Sequence, residues 1–208
     1  MEKIYIIGAS GFGKEVAWLI EELDKWDIVG FIDDNEFLQG EEINGIPVVG
    51  TCNFLQNRNQ STNVVIAIGN PQIRFKIYNT LKSNKNLHFP NIIAKGIRIS
   101  DTIEMGKGNI ICSNSILTVN IRLGDFNQIN LDCTIGHDSI LNSFITIYPS
   151  VNVSGNVKIG DFCELGTGSK IIQNKKMTDK VIMGAGAVVI KDILIAGTYV
   201  GTPAVKIK

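Results

Sequence analysis

From Ile93 to Val189, every sixth residue is aliphatic or methionine, through seventeen positions without a slip in register. Apolar residues make up 44% of the chain, so chance would fill only about half of these positions. Four residues after each, the type is mostly small or β-branched, as at Ile121, Cys133, Ser139, Val151, Cys163 and Ala187. Glycine directly follows the aliphatic at Gly106, Gly124, Gly136, Gly160, Gly166 and Gly184, where a corner requiring φ > 0 would favour it. A period of six matches neither a helix nor a plain strand. It matches a prism in which each hexapeptide forms one flat side and three sides make a coil of eighteen. Each aliphatic then stacks on residues eighteen before and after it, building a core from neighbouring coils alone. This predicts a parallel β-helix over residues 91–208. Periodicity alone does not give its handedness; parallel crossovers are normally right-handed.

The first ninety residues follow other periods. Lys3–Ile7 is a buried-strand run, followed by the glycine turn Gly8-Ala-Ser-Gly11-Phe-Gly13 and then by Val16, Leu19, Ile20 and Leu23 at helical spacing. A second strand over Ile28–Ile32 ends in Asp33-Asp34, a third over Val64–Ile68 ends in Gly69-Asn70, and Ile73–Leu81 reads as a second helix. These are about one and a half βαβ elements, a Rossmann-like α/β domain over residues 1–90. His88 falls where the two domains meet and reads as a linker residue. A glycine turn feeding a helix N-terminus suits a phosphate, since free N–H groups and the helix dipole both face it. An acid about 20 residues on, at a strand end, is placed for a ribose hydroxyl, and Asp33 fits. The spacing is G-x-x-G-x-G rather than G-x-G-x-x-G, and the unit is small for a dinucleotide. The nucleoside diphosphate of an activated sugar fits better; a purely structural turn is the alternative.

Charge and composition narrow the field. Lysine plus arginine equals aspartate plus glutamate at 20 each, so no net field draws the chain to nucleic acid or an anionic membrane. No apolar run approaches the roughly 20 residues of a membrane span. The start, MEKIYIIGAS, carries no signal-peptide pattern. Four cysteines without framework spacing suit reduced thiols in a cytoplasmic protein.

Only two histidines occur, and one interrupts the repeat as Ile135-Gly136-His137-Asp138. Imidazole can accept a proton near neutral pH, and a neighbouring carboxylate can hold its tautomer. Successive strand side chains point to opposite faces, so Asp138 can assist His137 only if the chain bends between them. A surface histidine at a corner is the bland alternative. A zinc site would need more ligands than one repeat-borne histidine supplies, and Cys133 falls among the inward apolar positions; no metal is expected. Gly155, eighteen after His137, lies one coil on at the same corner, leaving room beside the base and offering an N–H to an oxyanion. Ala185, forty-eight residues from His137, lies on a different face. Two faces could converge on one ligand around a threefold axis, which predicts a homotrimer.

The segments Gly8-Ala-Ser-Gly-Phe-Gly13, Asp33-Asp34, Ala67-Ile-Gly-Asn70, Ile135-Gly-His-Asp138, Gly155-Asn-Val-Lys-Ile-Gly160 and Gly201-Thr-Pro-Ala204 occur in that order. Together they resemble the bacterial sugar O/N-acyltransferases of the sialic acid O-acetyltransferase type, and most closely those that acetylate nucleotide-linked amino sugars. The resemblance implies a left-handed β-helix that binds acetyl-CoA and a small domain that binds the nucleotide sugar, in the making of bacterial surface glycans. By position, Ser10, Gly11, Phe12, Asp33, Asp34 and Gly69 would line the nucleotide-sugar pocket. His137 would be the general base with Asp138 as its partner, and Asn130 would lie near the amine. Gly155, Thr167 and Ala185 would lie along the pantetheine and thioester, and Thr146 stands where some relatives place a second histidine against the acetyl donor. Lys170, Lys175, Lys176 and Lys180 are candidates for the CoA phosphates. Oxygen acetylation of a sialic-acid-type sugar and a non-catalytic nucleotide-sugar-binding protein are the competing readings.

Overall fold

The computed structural model describes residues 1–208, in two compact units, Met1–Lys95 and Gly96–Lys208. The first unit is a six-stranded sheet of β1 (Glu2–Ile7), β2 (Trp26–Ile32), β3 (Glu42–Ile43), β4 (Ile46–Gly50), β5 (Thr62–Ile66) and β6 (Leu87–His88), in the order β3-β4-β2-β1-β5-β6. All neighbours are parallel except the β3–β4 hairpin. Helices α1 (Gly11–Glu22), α2 (Cys52–Gln56) and α3 (Pro71–Leu81) accompany it. Ile4, Ile6, Phe31, Val64, Val16 and Ile20 have no exposed surface; each such burial contributes roughly 1.5–3 kcal/mol. Strands β3, β4 and β6 and helix α2 lie outside the sequence-based prediction, because elements of two to five residues carry too little periodicity. His88 is not a linker residue: it lies on β6 opposite Asn63, its Nε2 2.9 Å from the Ser61 hydroxyl.

The glycine turn after β1 is packed backbone to backbone. Gly8 has φ of +100°, and a Cβ on Gly13 would run into the Gly8 carbonyl, 2.9 Å from its carbon. Gly11 faces open space. Gly13→Ala should therefore destabilise the chain by about 1–3 kcal/mol, while Gly11→Ala should stay within about 0.5 kcal/mol. Thermal melts of the two variants check this, and equal melting temperatures would refute it.

The second unit is a left-handed parallel β-helix of two-residue strands on three faces. Face one carries strands such as Gln128–Ile129, Thr146–Ile147 and Glu164–Leu165. Face two carries Ile116–Leu117, Thr134–Ile135, Asn152–Val153 and Lys170–Ile171. Face three carries Arg122–Leu123, Ile140–Leu141, Lys158–Ile159 and Lys176–Met177. Each of these pairings joins residues eighteen apart, as the six-residue register requires; the last coil is shorter, with Val181 opposite Gly197. Leu117, Ile135, Val153 and Ile171 stack along one face at no more than 2% exposure.

The corners correct one expectation. Gly106, Gly124, Gly136, Gly160, Gly166 and Gly184 do not have positive φ. The left-handed position comes two residues later and recurs every sixth residue, on Asn114, Asn120, Phe126, Asp132, Asp138, Phe144, Ser150, Asn156 and Phe162. The glycines are needed for close approach instead. At the edge between faces three and one, each capping side chain takes the amide eighteen residues earlier: Asp125 that of Lys107 (2.9 Å), Ser143 that of Asp125 (3.0 Å) and Asp161 that of Ser143 (2.7 Å). A Cβ on Gly124 would stand 2.5 Å from the Ser143 hydroxyl. Phe126, Phe144 and Phe162 hold their strained backbone at the same edge, stacked at 5.2 and 5.5 Å. A bulky left-handed residue costs roughly 1–2 kcal/mol, which ring stacking and burial offset.

Candidate active site

In the first unit, three loops meet at the carboxyl edge of the sheet, where β1 lies between β2 and β5 and the chain leaves in opposite directions. This is the switch point at which open α/β sheets bind ligands. The Gly8 amide bonds the Ile32 carbonyl (2.8 Å), and the Ala67 amide bonds that of Ile7 (2.8 Å). Ser10, Asp33, Asp34 and Gly69 stand on these loops, and Gly11 and Phe12 open α1. Ser10 caps α1 in extended geometry, but its hydroxyl bonds no helix amide and the first turn holds no acid. The N-terminal amides of this twelve-residue helix are thus open to an anion. Asp33 ties the β2 loop to the glycine turn: Oδ2 accepts the Ala9 amide (2.9 Å) and Oδ1 the Asn35 amide (3.0 Å). Asp34 accepts the Cys52 amide at 2.8 Å. The Gly69 carbonyl accepts from Arg74, which is fully buried and also bonds the Ile68 carbonyl.

In the second unit, His137 stands at the edge between faces two and three. Its Nδ1 lies 2.7 Å from Asp138 Oδ2. Two adjacent side chains meet in this way because Asp138 takes the left-handed conformation, φ +58°, supplying the bend that the sequence left open. Hydrogen bonds from His137 and then Asn120 hold the Asp138 carboxyl below the usual carboxylate range, so it is ionised and accepts only. Nδ1 therefore carries the proton, and in the neutral form of the ring Nε2 presents its lone pair. The tip of the ring reaches over Gly155 one coil on, where a Cβ would collide with Nε2 and come within 2.6 Å of Cε1. Gly136 makes room as well: a Cβ there would lie 2.5 Å from the Gly155 nitrogen. The Gly155 amide has no acceptor within the chain.

The remaining candidates lie elsewhere on the prism. Asn130, Thr167 and Ala185 occupy the edge between faces one and two; Thr167 and Ala185 are one coil apart and exposed, and the Gly186 amide bonds the Thr167 carbonyl. Asn130 Oδ1 accepts the Leu131 amide at 2.7 Å. Thr146 lies on face one with 4% of its surface exposed. The four lysines do not form one cluster: Lys170 is on face two, Lys176 on face three, and Lys175 and Lys180 on two different edges. Burial pushes the Cys133 thiol up to about 11 and Cys163 to about 12, so neither is a nucleophile near neutral pH. No three histidine, cysteine, aspartate or glutamate side chains converge on a common point, and no helix is long and apolar enough to cross a membrane. Asn120 was missed in the sequence. The step of eighteen back from Asp138 was the signal that points to it.

The model of the PglD N-terminal domain matches residues 3–81. Over 190 residues, 87% of this chain and 82% of the relative, the sequence is 26% identical to GDP-perosamine N-acetyltransferase of Escherichia coli O157:H7. The acetyltransferase domain of PglB from Neisseria gonorrhoeae, solved with acetyl coenzyme A, is 32% identical over 99% of both chains, with a TM-score of 0.93. PerB from Caulobacter crescentus, solved with CoA and GDP-perosamine, shares the fold at 24% identity and a TM-score of 0.90, over 99% of this chain and 97% of that one. With matching sequence over its whole length and the same two-part architecture, this chain belongs to the hexapeptide-repeat family of nucleotide-amino-sugar N-acetyltransferases.

Proposed function

We propose that this protein transfers the acetyl group of acetyl-CoA to the free amine of a nucleotide-linked amino sugar, with His137 as general base. The observation that carries it is the His137–Asp138 pair at 2.7 Å, its ring tip set over a glycine at which no side chain fits. The amine nitrogen attacks the thioester carbonyl, and Nε2 takes the N–H proton as the C–N bond forms. The C–S bond then breaks, and the proton passes from the imidazole to the departing CoA sulfur. The buried Cys133 and Cys163 thiols stay protonated, and direct attack by the amine needs no covalent enzyme intermediate. Asp138 holds the tautomer and steadies the imidazolium, and the unpaired Gly155 amide is the donor assigned to the oxyanion.

The nucleotide sugar is assigned to Ser10, Gly11, Phe12, Asp33, Asp34 and Gly69, with the diphosphate at the α1 amides. Asn130, Thr146, Thr167 and Ala185 are assigned to the amine and the acetyl donor. Asn130, Thr167 and Ala185 stand on one edge and His137 on the next, so we assign the active form to a homotrimer in which edges of neighbouring chains face each other. We place it in the cytoplasm, in the synthesis of bacterial surface glycans. Membership of an enzyme family sets aside the binding-only alternative.

The test is thiol release from acetyl-CoA with UDP-, GDP- and dTDP-linked amino sugars in turn. Release that requires the free amine, with an N-acetyl product, is the expected result. Release only with hydroxyl acceptors such as a sialic acid would assign the chain to O-acetylation instead.

A further inference from the structure

The edge that carries His137 is a ladder of amide side chains. Asn120, Asp138, Asn156 and Asn174 follow at steps of eighteen, all with φ between +53° and +62°. At the lower end, Asn156 Nδ2 donates to Asn174 Oδ1 at 2.9 Å. At the upper end, Asn120 Nδ2 donates to Asp138 Oδ1 at 3.2 Å. Between them the ladder is broken: Asp138 turns its other oxygen to His137 rather than to Asn156. The single carboxylate in the ladder thus falls beside the histidine, at a corner where asparagine serves on the other coils. Its side chain is 53% exposed, so water competes for it and no packing fixes the carboxylate plane. The Asn120 backbone is anchored, since its main-chain N–H donates to the Thr102 hydroxyl (2.8 Å), which lies 2.9 Å from that of Ser100.

We propose that Asn120 is a positioning residue for acetyl transfer: its side-chain amide pins one oxygen of Asp138 so that the other stays aimed at Nδ1 of His137. The proposal rests on His137 being the base. Asn120 touches no reacting atom and acts only through the carboxylate. Its contribution is the fraction of time that the imidazole holds the tautomer with a free Nε2 over Gly155. Around metal-bound histidines, partners one bond removed from the working group matter by about ten- to a hundredfold, and an effect of the same order is expected here.

Asn120→Gly removes the amide while keeping a residue that accepts positive φ. It is expected to lower kcat about tenfold and to leave KM for both substrates unchanged. Asn120→Asp keeps the corner but sets a second carboxylate against the first. It should lower kcat further and move the acid limb of the kcat profile to higher pH, because added negative charge favours the protonated imidazole. In an Asp138→Asn background, which repeats the Asn–Asn contact of the lower coils, Asn120→Gly should cost nothing more. If Asn120→Gly keeps wild-type kcat, or lowers it equally in both backgrounds, Asn120 is a corner residue only and the proposal is overturned while the base assignment stands. Wild-type turnover in His137→Gln would overturn both.

Discussion

Replacing His137 with alanine is expected to lower kcat for acetyl transfer by about 10²- to 10⁴-fold, the range that a positioned general base contributes. KM should change little, because the imidazole meets the acceptor amine mainly as its proton leaves. The side chain is 50% exposed and stands at a corner rather than in the stacked core, so the variant should melt within a few degrees of the wild type. Steady-state kinetics with both substrates varied, beside a thermal melt, decide the matter. A variant that turns over like the wild type would end the assignment of His137. The residual rate should rise with pH, since raising the unprotonated fraction of the free amine replaces part of what the base supplies.

Gly155→Ala is expected to be nearly as damaging, though residue 155 takes no part in the bond changes. The Gly155 backbone does not have positive φ, so alanine suits its conformation. The new Cβ instead meets the imidazole, colliding with Nε2 and standing 2.6 Å from Cε1 and 2.8 Å from Cδ2. A ring at the end of a flexible side chain can swing aside, so the fold should survive while the base loses its place. Displacement of about 1 Å at a reacting group can cost a hundredfold, and a loss of that order in kcat is expected with a near-native melt. Gly136→Ala is the contrast: its Cβ would meet the Gly155 nitrogen at 2.5 Å and the Ser154 carbonyl carbon at 2.6 Å. Backbone cannot step aside, so that variant should lose stability as well as activity. Wild-type kcat in Gly155→Ala would show that the ring does not work in the position described.

The α/β start, the coil of eighteen and the lone histidine in the repeat were legible in the residues, because each rests on local pattern. Ile135 announces its place by stepping from Ile129 to Leu141, and His137 is conspicuous only against that register. Other features were misread. The corner glycines looked like left-handed residues, but that conformation falls on Asp138 and its counterparts, and Gly136 is instead a space into which a neighbouring coil fits. Asp33 carries bonds that its position in the sequence did not announce, its carboxylate tying two loops together through Ala9 and Asn35. The late lysines are close in sequence, and the prism sends them to different sides.

The repeating apolar residue left one way to be buried, as a stack of coils, since no other periodic structure brings every sixth side chain inward. That much the order of residues carried unaided, along with the strand–glycine–helix start and the lone histidine in the repeat. The working geometry around that histidine arose only when the coils closed. The bend at Asp138 is a backbone choice among several open to aspartate. The contact of His137 with Gly155 and the reach of Asn120 to Asp138 each join residues eighteen positions apart. Such contacts depend on distances of a few tenths of an ångström between packed coils, and a linear pattern holds no record of those.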